Sequence, residues 1–142
     1  MPFHHLYVLM KFAHNYSRAP LKELGISSTE HLICTFITGH PNSSQDQISE
    51  FLQFDKTTTA KALASLEKKG YIRREINPDN RRKNVINVTE SGSEMLAPVL
   101  HVYDYCLKQL SHALTEEEWK AFDGYLGKIL HAAKELNQEV SQ

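Results

Sequence analysis

Apolar residues recur along this chain at helical spacing everywhere except in one short stretch past its middle. Phe3, Leu6, Tyr7, Met10 and Ala13 predict a first helix over residues 3–16. The segment Arg18-Ala19-Pro20 interrupts it, because proline disfavours the α conformation in the residue before it. Ser27 and Glu30 make a Ser-x-x-Glu capping box for a second helix. That helix runs through Leu32, Ile33 and Phe36 to Thr38 and stops at Gly39-His40-Pro41. Ser44 and Gln47 open a short third helix whose apolar face is Ile48, Phe51 and Leu52. Asp55 is the N-cap of a fourth helix over residues 56–69, closed by Gly70. Its buried stripe is Thr59, Ala62, Leu63 and Leu66, and its other side carries Lys56, Thr57, Thr58, Lys61 and Ser65. Two helices joined by a short turn predict a helix-turn-helix, the second helix being the usual DNA reader.

The period then changes. Tyr71-Ile72-Arg73-Arg74 and Val85-Ile86-Asn87-Val88 read as two short strands around the turn formers Asn77-Pro78-Asp79-Asn80. The hairpin has a basic tip, Arg81-Arg82-Lys83, and directly follows the reading helix, which makes it a wing. Thr89 caps a fifth helix with two apolar stripes. One is Leu96, Leu100, Tyr103, Leu107, Leu110 and Leu114; the other is Met95, Val99, Val102 and Cys106. A second stripe implies burial against something beyond the helix's own domain. Thr115-Glu116-Glu117-Glu118 opens a last helix whose Trp119, Phe122, Leu126, Ile129, Ala133 and Leu136 form a heptad-like seam that wants a partner helix. A symmetric homodimer built from both ends of the chain satisfies these faces; packing on their own monomer is the alternative. The expected fold is mainly α: one domain over 1–142, with a winged helix-turn-helix lobe at 28–88 and dimerisation helices at 1–20 and 89–142.

Composition narrows the class. At 142 residues, with 41% apolar and 23% charged residues, the chain suits one soluble globular domain. No run of about 18 apolar residues is present, so no membrane partner is expected. The opening MPFHHLYVLMKF lacks the pattern of a signal peptide, and two cysteines cannot build a disulfide framework. A reducing cytoplasm is the expected location. The net charge of −1 argues against a nucleic-acid partner only as an average, and the average hides a polarity. Residues 1–54 carry −1, residues 55–83 carry +5 and residues 84–142 carry −5. A polyanion feels local charge within a Debye length of about 8 Å. On charge alone, a solvated surface patch is the competing explanation.

The run over residues 44–92, SQDQISEFLQFDKTTTAKALASLEKKGYIRREINPDNRRKNVINVTESG, resembles the MarR family of bacterial and archaeal winged-helix transcription regulators. The likeness lies in the Asp-Lys-x-Thr start of the fourth helix, the Leu-Glu-Lys-Lys-Gly-Tyr-Ile exit, the Arg-rich wing and the Val-Thr-x-x-Gly entry to the long helix. The flanking helices extend it over nearly the whole chain. The resemblance implies a triangular homodimer whose two lobes straddle a pseudo-palindromic operator, with a small ligand often bound between the dimerisation and DNA-binding regions. Two positions depart from the pattern. Gln53 stands where the family usually has Gly or Asn, and Asn80-Arg81-Arg82 stands where it commonly has Asp-x-Arg, with Asp79 one residue earlier.

The expected function is a sequence-specific DNA-binding regulator, a repressor released by a small effector. Thr57 and Thr58 would meet base edges or phosphates in the major groove, Lys61 a guanine or phosphate, and Lys56 the backbone. Ser44 and Gln45 would offer backbone N–H groups to a phosphate. Arg82, flanked by Arg81 and Lys83, would enter the minor groove. Helix-capping polarity is the plainer reading of Thr57 and Thr58. His14, His31, Thr35 and Val102 are the candidate effector pocket. His31 and Cys34 share a helix face, but they are half of a tetrahedral zinc site, so no metal or other cofactor is expected; His101 adds nothing nearby in sequence. Cys34 and Cys106 sit on apolar faces, which favours inert packing over redox sensing. No nucleophile elbow, phosphate loop or paired carboxylates argue for an enzyme. A winged helix that binds only proteins is the remaining alternative, and its basic reading face speaks against it.

Overall fold

The structure, a computed structural model, describes residues 2–140, without the side chains of residues 2, 103 and 137–140. The elements in chain order are α1 (Pro2–Glu23), α2 (Ser28–Gly39), α3 (Gln45–Leu52), α4 (Lys56–Lys68), β1 (Ile72–Ile76), β2 (Asn84–Val88), α5 (Glu90–Ser111) and α6 (Glu116–Val140). The fold is mainly helical with one antiparallel two-stranded sheet. It forms two compact units, one through residue 103 and one from residue 104.

In the first unit α1 does not stop before Pro20 as expected but continues to Glu23 with the proline inside it. Proline there removes its own N–H donor and crowds the carbonyl four residues earlier, a cost that burial of the next turn has to offset. The helix carries on because Leu21, one residue later, is 3% exposed in the core and Leu24 N–H donates to the Pro20 carbonyl at 3.2 Å. The caps of α2 and α3 form as the sequence predicts. Ser27 and Glu30 close a reciprocal capping box, and so do Ser44 and Gln47.

The core brings together Ile33, Cys34 and Ile37 of α2, Ile48 of α3, and Ala62, Leu63 and Leu66 of α4. Ile72 and Ile86 of the sheet and Met95, Leu96 and Val99 of α5 complete it. Thr59 is also fully buried, so the whole predicted α4 stripe points inward. Phe51 departs from expectation. It is 52% exposed, and its ring lies 4.7 Å from that of Phe36 and 5.5 Å from that of His40. Three turns of periodicity cannot be read from an eight-residue helix, and here Ser49 rather than Phe51 joins Ile48 in the interior.

The turn from α3 to α4 requires a left-handed residue, and Gln53 supplies it at φ 57°, ψ 34°. Gly is less strained there because it lacks the β-carbon that crowds this conformation, and Asn because its short side chain can hydrogen-bond the local backbone. The wing pairs Ile72 with Val88 through Ile76 with Asn84. A third strand fragment joins it, unforeseen in the sequence: Ile86 N–H donates to the Ser43 carbonyl at 2.8 Å. Beside it Asn42 N–H donates to Asn87 Oδ1 and Asn87 Nδ2 to Asn42 Oδ1, at 2.8 and 2.9 Å. The wing is thereby fixed to the loop between α2 and α3.

α5 leaves the wing at a close approach. Thr89 N–H donates to the Tyr71 carbonyl at 3.0 Å, and Gly92 N–H donates to Thr89 Oγ1 at 3.1 Å. A β-carbon on Gly92 would stand 2.2 Å from the Tyr71 oxygen. That contact explains the glycine of the Thr-x-x-Gly entry.

Of the two α5 stripes, Met95, Leu96 and Val99 are buried, Val102 and Cys106 are half-buried, and Leu100, Leu107 and Leu110 are exposed. The Tyr103 side chain, part of the predicted stripe, lies outside the described residues. In the second unit Thr115 and Glu118 cap α6 reciprocally, and Trp119 Nε1 donates to the Ser111 carbonyl at 3.1 Å. Trp119 is half-buried, while Phe122, Leu126, Ile129 and Leu136 are exposed together with Tyr125 and Leu130. Among the described residues no helix is long and apolar enough to cross a membrane.

Candidate nucleic-acid interface

The buried side of α4 fixes what its other side can present. With Thr59, Ala62, Leu63 and Leu66 inward, Thr57, Lys61, Ala64 and Lys68 form an exposed line at steps of four, three and four. Lys56 is exposed at its start. Ala64 and Lys68 were missed in the sequence, although the same periodicity places them on this line. α4 is held against α3 by buried hydroxyls: Ser49 Oγ donates to Thr59 Oγ1 at 2.9 Å, and Thr59 Oγ1 donates to the Asp55 carbonyl at 3.0 Å.

Thr57 and Thr58 play different parts. Thr58 is half-buried, its N–H donating to Asp55 Oδ1 and its hydroxyl to Asp55 Oδ2, both at 2.7 Å. These two bonds hold the Asp55 carboxyl below the usual range. The hydroxyl proton of Thr58 therefore belongs to the cap, leaving only lone pairs for a ligand, whereas Thr57 is exposed.

At the start of α3 the expected pair of backbone donors is reduced. Ser44 N–H does not face outward: it donates to Gln47 Oε1 at 2.8 Å, as the capping box demands. The Gln47 N–H donates to Ser44 Oγ at 3.2 Å. Gln45 and Asp46 carry the remaining first-turn N–H groups. The Gln45 side chain is held as well, its Oε1 accepting from Arg74 Nη1 at 3.3 Å, while Arg74 Nε donates to Glu67 Oε2 at 3.2 Å.

The wing tip is an ordered turn. Asn77 N–H donates to the Lys83 carbonyl and Lys83 N–H to the Asn80 carbonyl, both at 3.0 Å. Asn80 Oδ1 accepts from Arg82 N–H at 3.2 Å, and Asn77 Oδ1 accepts from Asp79 N–H at 2.9 Å. An amide oxygen thus does at Asn80 what the family's aspartate oxygen could do, so the tip does not need Asp79 as a substitute. Arg81, Arg82 and Lys83 are all exposed.

The basic segment divides by partner. Of its nine lysines and arginines, Lys69 pairs with Glu30, Arg73 with Glu75 and Arg74 with Glu67. Among the described residues, Lys56, Lys61, Lys68, Arg81, Arg82 and Lys83 make no ion pair with a carboxylate. Lys69 is structural: its Nζ donates to both Glu30 oxygens at 2.9 Å and to the Gly25 carbonyl at 2.8 Å. Burial opposes ionisation of Glu30, but the Ser65 hydroxyl, the Ser27 N–H and Lys69 outweigh it and lower the carboxyl's pKa.

The other candidates lie apart from this face. His14 and Thr35 are exposed, Val102 is half-buried, and His31 is buried, which lowers its pKa and favours the neutral ring. Burial, with the negative Glu30 nearby, pushes the Cys34 thiol up to about 12, so it is a thiol and not a thiolate at neutral pH. Cys106 is half-buried and His101 exposed. Among the described residues no three His, Cys, Asp or Glu side chains converge as metal ligands.

Comparison with known proteins bears on the same segment. The MarR family model matches residues 26–83. The chain is 24% identical over 127 residues to the HTH-type transcriptional regulator BilQ of Clostridioides difficile, covering 89% of this chain and 83% of that one. It is 29% identical over 121 residues to the transcriptional repressor MprA of Escherichia coli, covering 84% and 69%. The crystal structure of MarR superposes with a TM-score of 0.76 at 28% identity, over 94% of this chain and 91% of that chain. The transcriptional regulator SlyA superposes at 0.83 with 22% identity over 94% of each, and shares the fold. The fold is also that of MepR from S. aureus in its DNA complex, at 0.64 and 22% identity over 89% and 96%.

Proposed function

The chain belongs to the MarR family of transcriptional regulators, and from that premise we propose that it is a homodimeric repressor reading a pseudo-palindromic operator. The observation that carries this reading is that, among the described residues, three cations on α4 and three at the wing tip make no ion pair with a carboxylate. α4 enters the major groove with Thr57 and Lys61 toward the base edges, and Lys56 and Lys68 toward phosphates. Arg82 enters the adjacent minor groove, supported by Arg81 and Lys83. Gln45 supports a phosphate from the start of α3.

One lobe reads one half-site, so a palindrome needs two lobes about 34 Å apart. The exposed apolar side chains of α1 (Phe3, Tyr7, Met10 and Phe12) and of α6 (Phe122, Leu126, Ile129 and Leu136) support a second copy as their cover. Fluorescence anisotropy with an operator selected from random DNA, at several salt concentrations, tests the reading. The logarithm of the association constant falls by about 0.9 per neutralised phosphate for each unit of log salt. Arg82→Ala weakens binding to every sequence, and Lys61→Ala flattens the preference among sequences. Binding indifferent to salt, or monomers alone by sedimentation at micromolar concentration, overturns it.

A further inference from the structure

We propose that Arg74 is a positioning residue of the DNA interface, acting through the Gln45 amide; this rests on the DNA-binding reading above. Arginine has five N–H donors and no acceptor. The Gln45 atom 3.3 Å from Arg74 Nη1 must therefore be the amide oxygen, and the NH2 group is the end left for a ligand. A phosphate diester offers only acceptors, so this orientation is the one that suits it. An amide released from Arg74 can rotate and present its oxygen instead.

Arg74 is suited to holding rather than to binding DNA itself. Its side chain is 27% exposed, and its Nε donates to Glu67 Oε2 at 3.2 Å. Glu67 offsets its charge. One guanidinium on β1 thus ties the root of the wing to α4 through Glu67 and to α3 through Gln45. The wing, the reading helix and the phosphate contact at α3 are held in one arrangement before DNA arrives, so binding does not have to order them.

A double-mutant cycle on operator affinity in the full-length protein tests this. Gln45→Ala and Arg74→Met are each expected to weaken binding of the dimer about a hundredfold, about tenfold for the charge-assisted hydrogen bond lost at each of two half-sites. The double variant is expected to be no weaker than either single one, because both remove the same contact. The salt slope stays at the wild-type value in Arg74→Met, since no phosphate-neutralising charge is lost. Losses that multiply, or a slope that falls by about 1 per half-site, show Arg74 touching DNA directly and overturn the proposal. Gln45→Glu guards against misfolding of Arg74→Met: the carboxylate keeps the bond to Arg74 but turns an anionic oxygen toward the phosphate. It is expected to weaken binding by more than Gln45→Ala, and wild-type affinity there overturns the proposal. Wild-type protein that fails to bind the operator with salt dependence overturns the DNA-binding reading instead.

Discussion

Replacing Gly92 by alanine sets two opposed effects against each other, and the structure decides between them. In an ordinary helix the change stabilises by about 0.5–1 kcal/mol, because glycine loses more backbone freedom on folding. Here the new β-carbon would lie 2.2 Å from the Tyr71 oxygen, 2.7 Å from Val88 Cγ1 and 3.0 Å from the Tyr71 carbonyl carbon. Two of these three atoms are backbone, so no rotamer change clears them. The α5 entry and the Tyr71 peptide must separate by about 1 Å to reach ordinary contact, at an overpacking cost of about 1–3 kcal/mol. The same movement stretches the 3.0 Å bond from Thr89 N–H to Tyr71 O, a further loss of about 1 kcal/mol. The balance is a net destabilisation of about 2 kcal/mol. Urea unfolding at fixed protein concentration measures it, with Gly124→Ala as control. Gly124 also lies within a helix, nothing stands within 4 Å of its added carbon, and it is on the side of α6 opposite the apolar seam. The control is expected to gain about 0.5 kcal/mol. A Gly92→Ala protein as stable as the wild type would refute the reasoning, since it would mean the Tyr71 carbonyl yields freely.

Two further perturbations follow from the same local geometry. Lys69→Met leaves the buried Glu30 carboxylate without its ammonium partner and is expected to destabilise by about 2 kcal/mol at pH 7, less than for a fully buried pair because Lys69 is one-third exposed. Since the folded Glu30 pKa lies below its ordinary value of 4.5, its stabilisation is present above that value and fades as pH falls through the folded pKa. The gap between variant and wild type therefore narrows on acidification, and urea midpoints whose gap widens toward pH 4 would contradict the assignment. Gln53→Gly relieves a β-carbon at φ 57° and is expected to raise stability by about 0.5–1 kcal/mol, despite loss of the bond from Gln53 Nε2 to the Glu50 carbonyl. A lower urea midpoint would show the glutamine side chain to be holding the turn.

What could be read from the sequence divides by the distance between partners. The three Ser/Thr-x-x-Glu/Gln boxes join residues three apart, so the signal and its partner occupy one window, and all three form. The α4 stripe was legible for the same reason, since four apolar or small residues in one helix define an inward direction by themselves. Pro20 was misjudged because its local preference competes with the burial of Leu21, which depends on helices not yet placed. Phe51 was misjudged because an eight-residue helix gives too few turns to locate the centre of its apolar arc. The exposed residues Thr57, Lys61 and Arg82, which we propose face the grooves, are readable as a type for a different reason: the fold makes little use of their side chains, so they stand out as polar positions left over once the core is assigned. Residues that hold the site have the opposite property. Arg74 reaches Gln45 across 29 positions, Lys69 reaches Glu30 across 39, and Asn42 reaches Asn87 across 45. In a one-dimensional count Arg74 and Lys69 add to the same positive block as Lys61 and Arg82. Only folding subtracts them, and what remains of the block is smaller in number but confined to α4 and the wing tip. The charge that argues for DNA is thus better defined after that subtraction than before it, because every cation removed has a carboxylate partner that accounts for it.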